Sequence, residues 1–174
     1  MKKKLMILFT MLPFILIING CTEIIPSFEI ATGQDTIEIN SEYTDLGAVF
    51  KDGAFTETIF SQDTLDTSVL GLNELSYEYA YEEQNYSVTR YVIVVDQLAP
   101  DIQLNPGVDT VIVGSNWVDQ GVTVTDNSLE QIAPVITGIV NTQVAGAYEV
   151  IYTATVSSGN VNSITRFVIV ISST

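Results

Sequence analysis

Nucleophilic, acid–base and metal chemistry draw on a short list of side chains, and this chain of 174 residues combines few of them. It has no histidine and one cysteine, Cys21. That removes Ser-His-Asp and Cys-His nucleophile systems and the usual zinc ligand sets. Carboxylates are what remain for proton transfer. Glu82 and Glu83 form a candidate glycosidase pair by type, but neighbours on a strand face opposite ways, and glycoside cleavage needs two carboxylates flanking one bond. A solvated loop is the better reading, so neither catalysis nor a cofactor is expected.

Asp45 with Asp52, and Asp119 with Asp126, could offer oxygen ligands to Ca²⁺ where strands meet loops. No dense D-x-D-x-D loop surrounds them. Aspartate at a strand end more often accepts nearby backbone N–H groups in an Asx-turn, and that reading is preferred. Arg90 and Arg166 share strand parity with Val92 and Val94, and with Val168 and Val170. An arginine on a core face must be paired, and the expected partner is Asp45 or Asp119, as a structural latch. The alternative is a bulge that turns the arginine to solvent.

Leu75, Tyr77, Tyr79 and Tyr81 fall on one face of an alternating segment, as do Val150, Tyr152 and Ala154. Such a stripe could stack on sugar rings, but core packing is the expectation, and Trp117 and Tyr43 are read the same way.

The segments carrying these residues are short, alternating and rich in Val, Ile, Thr and Tyr, and no 3.6-residue apolar period is sustained. The chain is therefore expected to be all-β. It also repeats itself. Asp35-Thr36-Ile37-Glu38-Ile39 recurs as Asp109-Thr110-Val111-Ile112-Val113, and Tyr43-Thr44-Asp45-Leu46-Gly47 as Trp117-Val118-Asp119-Gln120-Gly121, both at an offset of 74. Later matches drift by a residue or two: Tyr77 with Tyr152, and Thr89-Arg90-Tyr91-Val92 with Thr165-Arg166-Phe167-Val168. Two tandem domains follow, 28–97 and 98–174, meeting at Asp96-Gln97-Leu98-Ala99-Pro100. About seven short strands per unit point to a small two-sheet sandwich. In the second unit they are expected at 101–104, 109–113, 121–125, 134–138, 140–144, 148–155 and 162–171.

Ahead of the repeats stand Lys2, Lys3 and Lys4, then an apolar run from Leu5 to Ile18 closed by Asn19-Gly20-Cys21. This reads as a signal peptide over 1–20, its apolar run too short for a bilayer span of about 20 residues. Its end resembles the lipobox of bacterial lipoproteins, in which the cysteine thiol is diacylated and the signal is cut just before it. The resemblance implies lipid attachment, palmitate among the acyl chains, at Cys21 and a location on the extracytoplasmic face of the cell membrane. Residues 21–27 would then be the lipidated N-terminus and tether, six residues of which reach about 20 Å at most. Cleavage takes three of the six basic residues and leaves three against 21 acids, a net charge of −18. So acidic a chain repels phosphate backbones and anionic headgroups, which excludes nucleic-acid partners and a basic membrane-binding patch. With Cys21 acylated, no disulfide is available, and both units must be held by apolar packing and sheet hydrogen bonds.

Gly146-Ala147-Tyr148-Glu149-Val150-Ile151-Tyr152-Thr153-Ala154, then Gly159-Asn160 and Thr165-Arg166-Phe167-Val168-Ile169-Val170, resemble the end of bacterial surface immunoglobulin-like repeats of the crystal-toxin and HYR type. Tyr43-Thr44-Asp45-Leu46-Gly47-Ala48 matches their earlier Y-x-D-x-G-A segment in full, and Trp117 to Val122 approximately. The departures are Val156-Ser157-Ser158, where an aspartate is usual, and Glu82-Glu83-Gln84-Asn85, in place of the Gly-Asn turn. The resemblance implies immunoglobulin-like sandwiches serving as adhesion or spacer modules. The expected role is a non-catalytic, lipid-anchored surface protein that binds an envelope glycan or protein or acts as a spacer. The alternatives are a carbohydrate or solute receptor and an accessory subunit of an envelope complex.

Overall fold

The computed structural model describes residues 24–172. The expected signal peptide, Cys21 and the start of the tether lie outside the described residues. Within them the chain forms strands β1 (Ser27–Ile30), β2 (Thr36–Glu38), β3 (Ala48–Asp52), β4 (Phe55–Ile59), β5 (Gly71–Tyr81), β6 (Gln84–Val95), β7 (Asp101–Leu104), β8 (Thr110–Ile112), β9 (Val122–Thr125), β10 (Val135–Thr137), β11 (Gly146–Thr155) and β12 (Val161–Ile171). No helix occurs among the described residues.

The first six strands pair only with one another, as do the last six. Sheet β1-β3-β4 faces sheet β2-β6-β5 in the first half, and sheet β7-β9 accompanies sheet β10-β11-β12-β8 in the second. In both halves the early short strand runs parallel to the last long one: Thr36–Glu38 beside Ile93–Val95, and Thr110–Ile112 beside Ile169–Ile171. The long hairpins β5–β6 and β11–β12 are antiparallel.

Alternation fixes which residues go inside. On β6, Arg90, Val92 and Val94 are buried while Tyr91 and Ile93 are exposed; on β12, Arg166, Val168 and Val170 are buried while Phe167 and Ile169 are exposed. The first core joins Val92 and Val94 to Ile37, Ile39, Ala48, Leu75 and Tyr77, with Phe28 and Tyr43 packed at its margin. Burying each such Val or Leu contributes about 1.5–3 kcal/mol relative to exposure. The chain is thus all-β and built of immunoglobulin-like sandwich layers.

Six of the seven strands expected in the second half form. The segment 140–144 is instead a turn, because Asn141 Oδ1 accepts the Gln143 N–H at 3.0 Å and its carbonyl accepts that of Val144 at 3.3 Å. An Asx-turn competes with strand geometry at this position.

One edge differs between the halves. In the second, β10 covers the outer edge of β11, pairing Thr137 with Ile151 and Val135 with Thr153. In the first, the equivalent positions are Ser76 and Glu78 of β5, and among the described residues no strand pairs with that edge. Among the described residues the edge is capped at Ser76, whose N–H donates to Asp63 Oδ2 at 2.9 Å and whose carbonyl accepts from Ser61 Oγ at 2.9 Å.

Candidate functional site

Arg90 with Asp45 and Tyr77, and Arg166 with Asp119 and Tyr152, converge in two equivalent networks, one per half, buried at the guanidinium and open to solvent at Asp35 and Asp109. Strand parity drives Arg90 inward from β6, where its side chain is 2% exposed. Its Nη1 donates to Asp35 Oδ1 at 2.8 Å and its Nη2 to the Ala31 carbonyl. From β12, Arg166 repeats this with Asp109 Oδ1 at 2.8 Å and the carbonyls of Asn105 at 2.6 Å and Gly121 at 3.2 Å. The glycines beneath them leave the necessary room: a Cβ at Gly33 would lie 2.7 Å from Arg90 Nη1, and one at Gly107 would lie 3.1 Å from Arg166 Nη1.

A tyrosine–aspartate pair completes each network. Tyr77, fully buried, donates to Asp45 Oδ1 at 2.6 Å, and Tyr152 donates to Asp119 Oδ1. The same aspartates accept the N–H of Gly47 at 2.8 Å and of Gly121 at 2.9 Å, closing Asx-turns. These glycines sit at φ of 77° and 68°, which the turn requires and other residues rarely adopt.

The electrostatics follow. Burial, aided by the bond to Asp45, pushes the Tyr77 hydroxyl up to about 12. Burial works against ionised Asp45, yet the hydrogen bonds from Tyr77, Gly47 and Ser61 prevail and hold its carboxyl below the usual range. Both guanidiniums are likewise opposed by burial and held above their ordinary value by hydrogen bonds.

The arginines therefore face the core as the latch reading requires, and no bulge turns them out. The closest partner differs from the expectation in both halves, although Asp119 does form a longer ion pair with Arg166. Asp35 and Asp109, the residues immediately before β2 and β8, receive the guanidinium, and in the second half Asp119 Oδ1 also pairs at longer range, 3.8 Å from Arg166 Nε. Asp45 and Asp119 are engaged by tyrosine and backbone. The reason is reach: β2 and β8 lie beside β6 and β12 in parallel register, so the aspartates leading into them meet the arginines.

The Asx-turn reading also holds for Asp126, whose Oδ1 accepts Ser128 N–H at 2.9 Å and Oγ–H at 2.6 Å. Asp52 ends β3 opposite Phe55. No group of three or more His, Cys, Asp or Glu side chains able to hold a metal occurs among the described residues. Glu82 and Glu83 form the two-residue turn between Tyr81 and Gln84, with φ of 45° and 64°. Trp117 is half-buried, its Nε1 donating to the Val108 carbonyl at 2.9 Å.

The aromatic stripe is core at Leu75 and Tyr77 and half-buried from Tyr79 onward. There Phe50, fully buried, is ringed by Tyr79, Tyr81 and Tyr86 with centroids 4.8–4.9 Å away, and Phe55 stacks on Tyr81 at 5.5 Å and 19°. Residue types alone revealed only the Tyr79 and Tyr81 half of this cluster. The signal for the rest was a loss of symmetry, since Phe50, Tyr79 and Tyr81 correspond to Val124, Ala154 and Val156 in the second copy.

A second arrangement, not anticipated, joins the halves. Glu38, at the end of β2, accepts the N–H groups of Gln97 at 2.8 Å and Leu98 at 3.2 Å and the Asn127 amide at 3.1 Å. Asn40 Nδ2 donates to the Asn127 carbonyl at 2.8 Å. From the other side, Asn160 Nδ2 donates to the Asp96 carbonyl at 2.9 Å and Ser158 Oγ to Asp96 Oδ2 at 2.7 Å. Burial opposes the Glu38 charge, but the bonds from Gln97, Asn127 and Leu98 prevail and lower its carboxyl below the ordinary value.

This layout is that of an immunoglobulin-like β protein whose buried polar groups serve structure. Residues 102–170 match the family model described as bacterial surface protein, Ig-like domain. No curated protein matches. Among solved structures, the chain is similar to one described as "Protocadherin gammaB7 EC3-6 cis-dimer structure", at 16% identity and a TM-score of 0.35 over 83% of this chain. The alignment spans 50% of that chain's length.

Proposed function

We propose that the protein is a non-catalytic cell-surface module, lipid-anchored through Cys21, in which two tandem sandwiches, 28–97 and 98–174, form a spaced arm that presents a binding face. The observation that carries the reading is the joint. Its linker backbone is held from the first half by Glu38 and from the second by Asn160, leaving little slack between the units. The match of the second half to a surface domain family supports the location. Long strands of about ten residues run about 33 Å, so two units end to end reach about 70 Å from a bilayer.

The test has two arms. Labelled palmitate fed to expressing cells should appear in the wild-type chain and be absent from Cys21→Ser, which should leave the membrane fraction. Small-angle scattering of the soluble fragment 22–174, which lacks the signal segment and Cys21, should give a single extended particle. A labelled Cys21→Ser chain contradicts the anchor, and a broad distribution of shapes contradicts the arm.

A further inference from the structure

The free edge of β5 has a counterpart that shows what fits there. In the second half, β10 occupies the edge of β11 and satisfies the outward backbone groups of Ile151 and Thr153. The equivalent groups on β5 belong to Ser76 and Glu78. Ser76 bonds outward to Ser61 and Asp63, which fixes the register: along β5 the even-numbered residues turn N–H and C=O away from β6. Glu78 and Ala80, both exposed, thus present unpaired ladder groups toward the hairpin tip. A groove lined by Ile59, Phe60, Gln62, Asp63, Ser76 and Glu78 runs alongside.

We propose that this edge takes an extended, lysine- or arginine-bearing segment of another protein, which adds to β5 as a strand where β10 adds to β11. Two observations set the partner's chemistry. Exposed edges are commonly blunted by lysine or proline, and β5 has neither. Its surroundings are acidic instead: Glu57, Asp63, Glu74, Glu78, Glu82 and Glu83 lie on β4, β5 and the adjoining turns. The bases between residues 24 and 97 are Lys51 and Arg90, and Arg90 is buried in its network. A second copy of this chain fits poorly, because antiparallel pairing of β5 with itself about Ser76 sets Glu74 opposite Glu78, and like charges directly opposed destabilise a sheet. Strand addition takes affinity from main-chain bonds and selectivity from alternate side chains, here acid facing base.

This gives the binding face proposed above a place and a partner chemistry; its failure leaves the anchored arm standing, since palmitate labelling and scattering do not depend on it. The experiment is amide hydrogen exchange by NMR on the soluble protein with two synthetic twelve-residue probes, one alternating threonine with lysine and one alternating threonine with glutamate. The lysine peptide should slow exchange at Glu78 and Ala80 by about tenfold or more, as expected of an amide entering a ladder, with Tyr77 and Tyr79 unaffected. The glutamate peptide should do nothing. Ala80→Pro removes an outward N–H without touching the β6 ladder and should abolish the protection. Should that variant misfold, Glu78→Lys tests the same edge by charge and should weaken the lysine peptide's effect. Equal protection by both peptides, protection that grows with protein concentration in their absence, or none with either peptide overturns the proposal.

Discussion

The hydroxyl of Tyr77 donates a 2.6 Å hydrogen bond to Oδ1 of Asp45, and 75 residues later Tyr152 does the same to Asp119. The bond ties the second half of each unit to the Asx-turn ahead of β3 or β9, and it is made only while tyrosine is protonated. Because the folded state raises the Tyr77 pKa to about 12 from 10, its contribution is complete below pH 10 and is lost as pH rises toward 12. Wild type should therefore lose stability across that window, and Tyr77→Phe should lose less across it while being weaker at neutral pH by about 1–2 kcal/mol. Urea titrations at a series of pH values check both. Asp45 has the opposite sign: its carboxyl is lowered from 3.8, so its contribution is present above that value and fades as pH falls through the folded pKa.

Arg166→Leu should cost about 1–3 kcal/mol, because it leaves the Asn105 carbonyl without its donor, while Asp109 is 42% exposed and the Gly121 carbonyl still accepts the Asn105 N–H. Arg166→Lys should recover only part, since one ammonium cannot serve both the carboxylate and the carbonyls. Equilibrium unfolding in urea reads this directly. A leucine variant as stable as wild type removes the latch from the account.

Gly33→Ala and Gly107→Ala make a matched pair. The added methyl meets Arg90 Nη1 at 2.7 Å in the first and Arg166 Nη1 at 3.1 Å in the second. Gly33→Ala should cost about 1–3 kcal/mol by overpacking, and Gly107→Ala distinctly less. Thermal melts suffice, and equal losses would show that the arginines shift freely.

The Glu82-Glu83 turn holds two non-glycine residues at positive φ. Replacing the pair with Asn-Gly, which suits a two-residue hairpin turn, should raise stability by about 1–2 kcal/mol. Unchanged or lowered stability in chemical denaturation contradicts that reading.

How much of this could be read from residue types varies with the interaction's range. The all-β class and the inward Tyr77 and Tyr152 followed from period-2 alternation and the repeat, both properties of local sequence, whereas alternation left the arginines open between a paired core position and a bulge, because their strands are apolar on both faces. The identity of the arginine's partner did not, because Asp35 and Asp45 are equally plausible until the parallel β2–β6 register is known. The strand expected at 140–144 failed where Asn141 offered its own side chain to the backbone. The joint was invisible for a similar reason: Glu38, Asn127 and Asn160 look like ordinary loop polars, and only the packing of the halves brings them to one linker. The aromatic cluster left a trace in the departure of the first copy from the second.

The parallel pairing of β2 with β6 and of β8 with β12 bears on what happens when the chain is pulled from its ends. Strands running the same way, tugged from the start of one and the end of the other, load their hydrogen bonds side by side in shear, so the bonds share the strain instead of unzipping singly. Force applied between the two ends of the chain would run along this resistant direction. Single-molecule pulling from the termini should show two rupture peaks of similar, high force, and from the β5–β6 tip to the C-terminus a weaker one. A chain built this way yields last along the axis that joins its ends.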